Sequence, residues 1–470
     1  MNTPVDVCKG IVLSITALAL TGSLTACAGT DDVSKGLRVS GNHRYLEYTD
    51  GTPFFYLGDT AWELFHRLNR EEVDRYVANR AAKGFTVIQA VVLAELNGLN
   101  DPNPYGHRPL IDNDPAKPND VYFQHVDYVV SKAKDLGLFV GMLPTWGKYW
   151  KTGSGIFTPE NAKAYGEFLG ERYKDAPIIW ILGGDHNPDN EQERVVLAAM
   201  ACGLKEGDRG THLITYHPRG PGLSSDYFHQ ADWLDFNMYQ SSHAARDHDN
   251  GLFAERDYRL IPPKPTLDGE PRYEDIPVGF YNANADPDRR FDDCDVRQAA
   301  YWSLLAGACG HTYGNNNIWQ MWQPGRKPVI WASRPWHEAL DRPGASQMTY
   351  VRRLFESRPF RKLVPDQSIV LDGPDYGGAK IRAARATDGS FAFIYSPRGE
   401  PFTVRMDVVL APRIRETWFD PRDGSVRPLH TTDTPGIQTF VPPASGRGND
   451  WILVLDDATA GFPSPGQPKQ

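Results

Sequence analysis

Two acidic residues, Asp185 and Glu270, each follow a short run of apolar residues. Asp185 comes directly after Ile-Ile-Trp-Ile-Leu-Gly-Gly, and Glu270 comes directly after Lys-Pro-Thr-Leu-Asp-Gly. A protonated carboxyl group and an ionised one can together cleave a glycosidic bond: the acid protonates the leaving oxygen, and the carboxylate attacks the anomeric carbon or activates water. Either residue alone could equally be a loop acid or a helix cap. Their shared position at the ends of two predicted strands favours the catalytic interpretation.

Other acids compete with this pair for a role. Asp268 lies two residues before Glu270, so a regular strand would place both on one face, and we predict a deeper, supporting role for Asp268. Asp59 follows the first predicted strand and could bind sugar hydroxyls or cap the first helix. Glu274 and Asp189 are predicted to be loop residues.

The residues around Asp185 do not form a metal-binding motif. The stretch 185–189 begins like a calcium loop, but Asn190 stands at its sixth position instead of Gly, and Val196 stands at its twelfth instead of Glu. His217 and His243 lack the spacing of metal ligands. We expect no metal ion and no cofactor.

Histidine, glutamine and tryptophan side chains follow the same predicted strands. His217 and His243 are predicted to donate hydrogen bonds to hydroxyl groups, with a structural role as the alternative. Trp62, Trp146 and Trp319 are candidate platforms for sugar rings, although each could instead pack in the core. This clustering at strand ends is more informative than any single residue.

Short apolar strands alternate with longer helical patterns between residues 54 and 313. The predicted strands are Phe54–Leu57, Val87–Leu93, Leu138–Leu143, Ile178–Leu182, Leu213–Tyr216, Asp235–Tyr239, Pro265–Leu267 and His311–Tyr313. Eight such units indicate a (β/α)8 TIM barrel of the α/β class, in which the active site lies at the carboxyl ends of the strands. The alternative, a doubly wound sheet, would need a Gly-rich phosphate turn after an early strand, and the sequence has none there.

The pattern changes near Ser357-Arg358-Pro359. Short alternating runs separated by turns such as Asp388-Gly389 then predict a small all-β sandwich. The predicted domains are a barrel over residues 37–361, a sandwich over 366–457 and a tail over 458–470, which we expect to be disordered from Phe462.

Residues 1–26 have the pattern of an export signal. An apolar run over residues 11–20 is too short to span a bilayer, and Leu24-Thr25-Ala26-Cys27 resembles a bacterial lipobox. This predicts lipidation of Cys27, a tether over residues 27–36 and an anchor in the membrane. Ala28 in place of an Asp favours the outer membrane, on its periplasmic or surface face. A plain secretory signal is the alternative.

Net charge and cysteine content argue against two other classes of protein. The chain of 470 residues has a formal net charge of -9, which argues against a general nucleic-acid binder. Three cysteines follow the predicted signal and lipobox, Cys202, Cys294 and Cys309. This odd number without zinc-site spacing excludes a disulfide scaffold and favours buried thiols, with one bridge in an oxidising compartment as the alternative.

The chain resembles the apiosidase-like glycoside hydrolases (glycoside hydrolase family 140) in several runs that occur in order. These are Phe-Phe-Tyr-Leu-Gly-Asp-Thr-Ala-Trp-Glu-Leu-Phe, Lys-Gly-Phe-Thr-Val-Ile-Gln, Trp-Ile-Leu-Gly-Gly-Asp-His, Asp-Gly-Glu-Pro-Arg-Tyr-Glu and Ala-Gly-Ala-Cys-Gly-His-Thr-Tyr-Gly. The downstream part resembles the small sandwich labelled as collagen-binding that accompanies this barrel. The resemblance implies an Asp acid/base and a Glu nucleophile, at Asp185 and Glu270. The predicted substrate-binding residues are Asp59, Trp62, Gln89, Trp146, His217, Gln240 and Tyr313.

These observations predict a glycoside hydrolase that acts on oligosaccharides or polysaccharides. The resemblance implies plant cell-wall pectin as the substrate, with apiose inherited by analogy. A related barrel enzyme acting on another furanoside or pyranoside remains open, as do a non-catalytic glycan-binding lipoprotein and adhesion to host matrix through the sandwich.

Overall fold

The computed structural model describes residues 31–433 and 436–468. The predicted signal peptide and the candidate lipidation site Cys27 lie outside the described residues. From Asp31 the chain is packed: the carboxylate of Asp31 lies 3.0 Å from Nη2 of Arg352, and Val33 is buried. Residues 31–36 therefore belong to the folded protein, which corrects the prediction that they are part of a tether. No helix in the described part is long and apolar enough to cross a membrane.

A small antiparallel sheet precedes the barrel. It consists of β1 (Leu37–Val39), β2 (Leu46–Tyr48) and β3 (Pro53–Phe54). The ring of Phe54 lies 5.3 Å from that of Phe139, between centroids. Because Phe139 begins a barrel strand, this sheet covers the amino-terminal end of the barrel.

The eight predicted barrel strands are all present, and the (β/α)8 fold is confirmed. In chain order the strands are β4 (Tyr56–Thr60), β5 (Val87–Leu93), β6 (Phe139–Thr145), β7 (Ile178–Gly183), β8 (Ile214–His217), the short β9 (Gly222–Leu223), β10 (Asn237–Gln240), β11 (Thr266–Glu270) and β12 (Gly310–Tyr313). Their sheet order is β8-β7-β6-β5-β4-β12-β11-β10-β9, with only β9 antiparallel. The carboxyl ends of the eight parallel strands form one opening, here called the mouth.

The barrel closes between β8 and β10 through single hydrogen bonds instead of a ladder. The backbone N–H of Asp235 donates to the carbonyl of Ile214 over 2.9 Å. The hydroxyl of Thr215 donates to the carbonyl of Phe236 over 2.7 Å. These bonds bring the first and last parallel strands of the sheet together, so that all eight ends face one space.

Helices surround the barrel. They are α1 (Leu64–Arg67), α2 (Arg70–Ala82), α3 (Asp120–Asp135), α4 (Pro159–Tyr173), α5 (Glu191–Gly207), α6 (Ser225–Phe228), α7 (Gly251–Tyr258), α8 (Asp293–Leu305), α9 (Trp336–Ala339) and α10 (Pro343–Glu356). Local sequence explains their starts: Thr158 and Asn161 form a capping box before α4, whose first residue is Pro. Helix α8 is buried along almost its whole length, which means that it is covered on the side away from the barrel too.

The sandwich provides that cover. Its strands are β13 (Leu363–Pro365), β14 (Val370–Asp372), β15 (Arg382–Ala386), β16 (Phe391–Ser396), β17 (Phe402–Arg405), β18 (Ile414–Phe419), β19 (Val426–Thr432), β20 (Ile437–Phe440) and β21 (Trp451–Asp457). Six form an antiparallel sheet in the order β13-β15-β16-β21-β18-β19, and three form a second sheet in the order β14-β17-β20. The predicted all-β sandwich is confirmed.

The six-stranded sheet is apolar on both faces. Along β16, Phe393 and Tyr395 join the core of the barrel, whereas Ala392 and Ile394 join the core between the two sheets. The ring of Tyr395 stacks on Tyr301 of α8, with centroids 5.0 Å apart. Because side chains alternate between the two faces of a strand, one sheet contributes to both the core of the barrel and the core of the sandwich.

Buried ion pairs cross the same interface. Arg297 of α8 donates two hydrogen bonds to Asp450, over 3.1 and 2.7 Å. Arg358 binds Asp456 in the same bidentate way, with both distances 2.8 Å. All four side chains are almost completely buried, so each charge depends on its partner.

Two smaller predictions are wrong. Cys294 and Cys309 are buried thiols as expected, but the free Cys202 is exposed on α5. The tail does not leave the surface at Phe462, because the Phe462 ring packs on Phe391 and the N–H of Gly466 donates to the hydroxyl of Ser357.

Candidate active site

A left-handed turn presents Asp185 at the mouth. Strand β7 ends at Gly183, and φ is +96° at Gly183, +80° at Gly184 and +56° at Asp185. A Cβ atom on Gly184 would lie only 2.8 Å from the backbone nitrogen of Gly147, so the two loops approach too closely for a side chain. Glycine suits the first two positions, whereas the left-handed Asp185 is a strained exception of the kind found at functional sites.

Glu270 is the last residue of β11 and is held by two histidines. Nε2 of His217 lies 3.1 Å from Oε2 of Glu270, and Nε2 of His243 lies 3.1 Å from Oε1. On the other side of each ring, Nδ1 accepts a backbone N–H, from Asp185 over 3.3 Å and from Tyr273 over 3.4 Å. Because Nδ1 accepts in both rings, the hydrogen is assigned to Nε2. Nε2 of His243 donates to Oε1 of Glu270. Nε2 of His217 lies close to Oε2 without the alignment of a hydrogen bond, so this contact is electrostatic.

This arrangement gives the two candidate catalytic carboxyl groups different pKa values. Burial alone would raise the pKa of Glu270, but the two histidines outweigh it and lower that pKa to about 2. Burial and the negative charge of Glu270 raise the pKa of Asp185 to about 7. Near neutral pH one group is therefore ionised while the other still holds a proton, as an acid-assisted displacement requires.

A bulge explains why Glu270 faces the mouth and Asp268 does not. In the pairing of β10 with β11, Tyr239 lies opposite Asp268 and Gln240 lies opposite Glu270, so Gly269 is an extra residue. The carboxylate of Asp268 points to the helix side, where Asn250 and Ser241 each donate over 2.9 Å. The predicted shared face is wrong, because the bulge reverses the side-chain alternation. Asp268 is nevertheless a buried, supporting acid.

Trp62 and Trp146 form one wall beside the histidines. The Trp62 ring meets the edge of His217 with centroids 5.3 Å apart, and the Trp146 ring lies 5.8 Å from Trp62. Both indoles are almost fully buried. Trp62 packs on His217 and Trp146 packs on Trp62, and the contact of either indole with substrate stays a prediction.

Gln89 and Gln240 occupy different levels of the barrel. The amide of Gln89 donates to the carbonyl of Gly269 over 3.0 Å and so supports the bulge from inside. Gln240 is the last residue of β10, and its buried Oε1 accepts no hydrogen bond from any described residue. Gln240 therefore offers an open acceptor, whereas Gln89 acts on the backbone beneath the site.

Asp59 and Tyr313 lie outside the site, and their predicted contact with substrate is wrong. Oδ2 of Asp59 lies 2.7 Å from Nε of Arg80 on α2 and also accepts the hydroxyl of Tyr76. The hydroxyl of Tyr313 donates to Glu274 over 2.6 Å. The physical reason is that side chains alternate along a strand, and both residues take positions of β4 and β12 that face the helices. Glu274 lies in the loop between β11 and α8, as predicted, and is buried there 3.8 Å from Nε of Arg342.

Glu95 is a further acid near the mouth that the sequence reasoning missed. It lies two residues beyond β5 and is half-buried, and its carbonyl accepts from Nζ of Lys148 over 2.6 Å. Burial and the charges of Glu63, Asp185 and Glu270 raise its pKa well above the usual range. The signal was available, because Glu95 follows an apolar run just as Asp185 does.

The residues of this site do not resemble a metal centre. Among residues 31–433 and 436–468, no group of three or more histidine, cysteine or acidic side chains is arranged to hold a metal ion. The described mouth instead offers acid–base chemistry, from its carboxyl groups and the two histidines.

Comparison with known proteins identifies the family. Residues 40–362 match the family model described as "Apiosidase-like, catalytic domain", and residues 364–456 match "Putative collagen-binding domain of a collagenase". No curated protein matches the chain.

Two solved structures are similar over nearly the whole chain. One, titled "Glycoside hydrolase", is 35% identical with a TM-score of 0.84, covering 91% of this chain and 98% of its own. A crystal structure of a glycoside hydrolase family 5 protein from Bacteroides vulgatus is 33% identical with a TM-score of 0.85, covering 93% and 96%. The barrel, the paired carboxyl groups and these matches together show that the chain belongs to the apiosidase-like family and is a glycoside hydrolase.

Proposed function

We propose that the protein hydrolyses glycosidic bonds in pectic plant cell-wall glycans, apiose-containing ones among them, with Asp185 as acid/base and Glu270 as nucleophile. The observation that carries the roles is the difference in surroundings: Nε2 atoms of two histidines lie 3.1 Å from the oxygens of Glu270 and lower its pKa, whereas burial raises the pKa of Asp185. The substrate class rests on the family match over residues 40–362.

In the first step, Glu270 attacks the anomeric carbon while Asp185 gives its proton to the departing glycosidic oxygen. The bond from the anomeric carbon to that oxygen breaks, and an ester bond to the Glu270 carboxylate forms. Before the sugar arrives, His243 donates to Oε1 of the carboxylate and His217 lies 3.1 Å from Oε2. The nucleophile is therefore oriented at no further entropic cost.

In the second step, Asp185 is ionised and removes a proton from water. The resulting hydroxyl attacks the anomeric carbon, the ester breaks, and Glu270 leaves as the carboxylate that the histidines already stabilise. Asp185 then holds its proton again, and both groups are reset for another cycle.

The acidity of Glu270 favours a nucleophile over a general base. A general base works best when its pKa is close to the working pH, and a pKa of about 2 is far below it. A strongly acidic carboxyl is instead a good leaving group in the second step. We therefore propose retention of configuration, for which the two carboxyl groups of the substrate-bound enzyme should lie roughly 5–5.5 Å apart, in contrast to roughly 6.5–9.5 Å for inversion.

The test compares Glu270→Gln and Asp185→Asn on a pectic oligosaccharide and on an aryl glycoside of the same sugar. Glu270→Gln should nearly abolish turnover of both, since it removes the nucleophile and keeps the shape. Asp185→Asn should lower turnover of the natural glycan by roughly 10²–10⁴-fold but slow the aryl glycoside less, because that leaving group needs little protonation.

Asp189→Asn is the matched control, because Asp189 lies on the same loop, is exposed and pairs with Lys151. Near-normal turnover of the natural glycan by Glu270→Gln or Asp185→Asn would remove that residue from its role. Wild-type protein that cleaves none of a panel of pectic glycans but cleaves another furanoside or pyranoside would overturn the proposed substrate class alone.

A further inference from the structure

The loop that carries His243 is fastened to the sandwich. Residues 241–250 link β10 to α7 through turns and bends, and His243 lies in the first half of this loop. Near the other end, Nη2 of Arg382 donates to both oxygens of Asp249, over 2.7 and 2.8 Å. Nζ of Lys380 donates to the same carboxylate over 2.7 Å. Both cations belong to the sandwich, so a loop of the barrel mouth is held from the second domain.

These ion pairs are largely shielded from water. The side chains of Arg382, Lys380 and Asp249 are 2%, 17% and 12% exposed. Arg382 also pairs with Glu255 on α7. A Cβ atom on Gly251 would lie only 2.5 Å from Cζ of Arg382, so glycine at this position leaves room for the guanidinium. Because buried charges are screened little by solvent, these pairs hold the loop more firmly than surface pairs would.

The backbone of the loop is strained next to His243. Ser242 has a φ of +79°, in the left-handed region that residues other than glycine rarely adopt. Such a backbone persists only where surrounding contacts impose it. The N–H of Gly279 donates to the carbonyl of His243 over 2.8 Å and holds the loop locally. Asp249 anchors its far end, so both contacts determine where the His243 ring lies.

The anchored half of the loop also contacts the strand of Glu270. Arg272 lies two residues beyond Glu270, is 2% exposed and donates to the carbonyl of His248 over 3.2 Å. Asn250 donates to Asp268, two residues before Glu270, over 2.9 Å. The loop is therefore joined to β11 and its continuation on both sides of the candidate nucleophile.

The titratable groups at the two ends of this connection come from several elements. Those near Asp249 are Lys380 and Arg382 of the sandwich and Arg272 and His248 of the barrel. Those near Glu270 are His217, His243, Tyr273, Asp185 and Glu95. Among the groups near Glu270, the two histidines stabilise its ionised form. Displacement of one of these rings therefore makes the carboxyl group less acidic.

We propose that Arg382 and Lys380 are positioning residues of the active site: by holding Asp249, they fix the loop that places His243 against Glu270. The sandwich then contributes to catalysis in addition to covering α8. This inference rests on the proposed function, because it assigns a task to a contact of the candidate nucleophile.

The experiment replaces Arg382 with Met in the full chain and measures kcat/KM on an aryl glycoside between pH 3 and 8. Methionine keeps the apolar length of the side chain but leaves Asp249 with Lys380 alone. We expect the acid limb to move to higher pH by roughly 0.5–1 unit, because a displaced His243 stabilises the Glu270 carboxylate less. Arg382→Lys keeps a charge beside Asp249 and should recover most of the shift. Lys380→Met is the milder second variant, for the case that Arg382→Met does not fold, and should move the limb in the same direction by less.

Arg385→Met is the matched control. Arg385 lies on the same strand, three residues beyond Arg382, and donates to Asp366 over 2.7 Å without contacting the loop. This variant should leave the acid limb unchanged. In a His243→Phe background, Arg382→Met should add no further shift, since both changes act through one contact. A full additional shift, or a folded Arg382→Met with the acid limb of the wild type, would overturn the proposal.

A readout that does not depend on catalysis separates this inference from the proposed function. The ring resonances of His243 are followed by NMR in protein with isotope-labelled histidine and are assigned by their loss in His243→Phe. They should shift in Arg382→Met and stay in place in Arg385→Met. If the wild type hydrolyses no glycoside while these resonances shift as expected, the proposed function fails and the positioning holds. Unchanged resonances in a folded, active Arg382→Met would overturn the positioning alone.

Discussion

Replacement of His243 by Phe tests the electrostatic core of the proposed site. His243 donates from Nε2 to Oε1 of Glu270 over 3.1 Å, and its ring is held between Tyr273 and Phe280. Phenylalanine fills nearly the same space but has no donor. The substitution therefore removes one of the two groups that keep Glu270 ionised, and His217 remains.

The size of the effect follows from the strength of that bond. A hydrogen bond to a charged group contributes about 1.5–3 kcal/mol, and a change of one pKa unit corresponds to about 1.4 kcal/mol. The pKa of Glu270, lowered to about 2 in the wild type, should rise by roughly 1–2 units in the variant. Activity needs the ionised carboxylate and is lost as pH falls through this pKa, so the acid limb should move to higher pH.

The assay is kcat/KM on an aryl glycoside between pH 3 and 8, because this ratio reports the free enzyme. The wild type should stay near its plateau at pH 4, whereas His243→Phe should already be declining there. His125→Phe is the control, since His125 is buried on α3 beside Tyr105 and away from Glu270. An acid limb that is identical in wild type and His243→Phe, with both proteins folded by circular dichroism, would refute the role given to this histidine.

The other predictions concern the second carboxyl group and the domain interface. Wild-type kcat should fall as pH rises through about 7, because burial and the charge of Glu270 raise the pKa of Asp185 to that value and its acid form is lost above it; a basic limb that persists in Asp185→Asn would contradict this assignment. Arg297→Met should lower the free energy of unfolding by about 3–5 kcal/mol, because it leaves Asp450 buried without its partner, and Arg297→Met with Asp450→Leu should recover most of the loss in chemical denaturation. Deletion of the chain after Asp366 should give an aggregating barrel in size-exclusion chromatography, because the face of α8 becomes exposed, and a soluble, fully active barrel would show this reasoning to be wrong.

The barrel strands could be predicted because a buried parallel strand leaves a strong apolar signal. Val87–Leu93 has the same bounds in sequence and structure. The strand Val426–Thr432 leaves no such signal, because it lies at a sheet edge and carries mostly exposed side chains, with Pro428 in its middle.

The positions of Asp185 and Glu270 at the mouth could be predicted, but the direction of several neighbouring side chains could not. The first barrel strand was predicted to end at Leu57, yet β4 continues to Thr60, so Asp59 lies within the strand and points to α2. The extra residue Gly269 is equally invisible in a pattern of apolar residues, although it decides which acid faces the mouth. Local sequence shows where a strand lies. Which of its side chains face the inside of the barrel depends on how the strand pairs with its neighbours.

The six-stranded sheet, which is apolar on both faces, also determines when the barrel can finish folding. Strand β21 (Trp451–Asp457) lies in the middle of that sheet, between β16 and β18, and Asp456 within it neutralises Arg358. Strand β21 is the last described strand to be synthesised. The outer face of α8 stays exposed until the sheet that contains β21 has formed. Folding of the barrel and the sandwich therefore cannot conclude before residues 451–457 have been synthesised, and a chain truncated shortly before residue 451 would lack a central strand of the fold. In this way a late strand of the sandwich is itself a condition for a stable barrel.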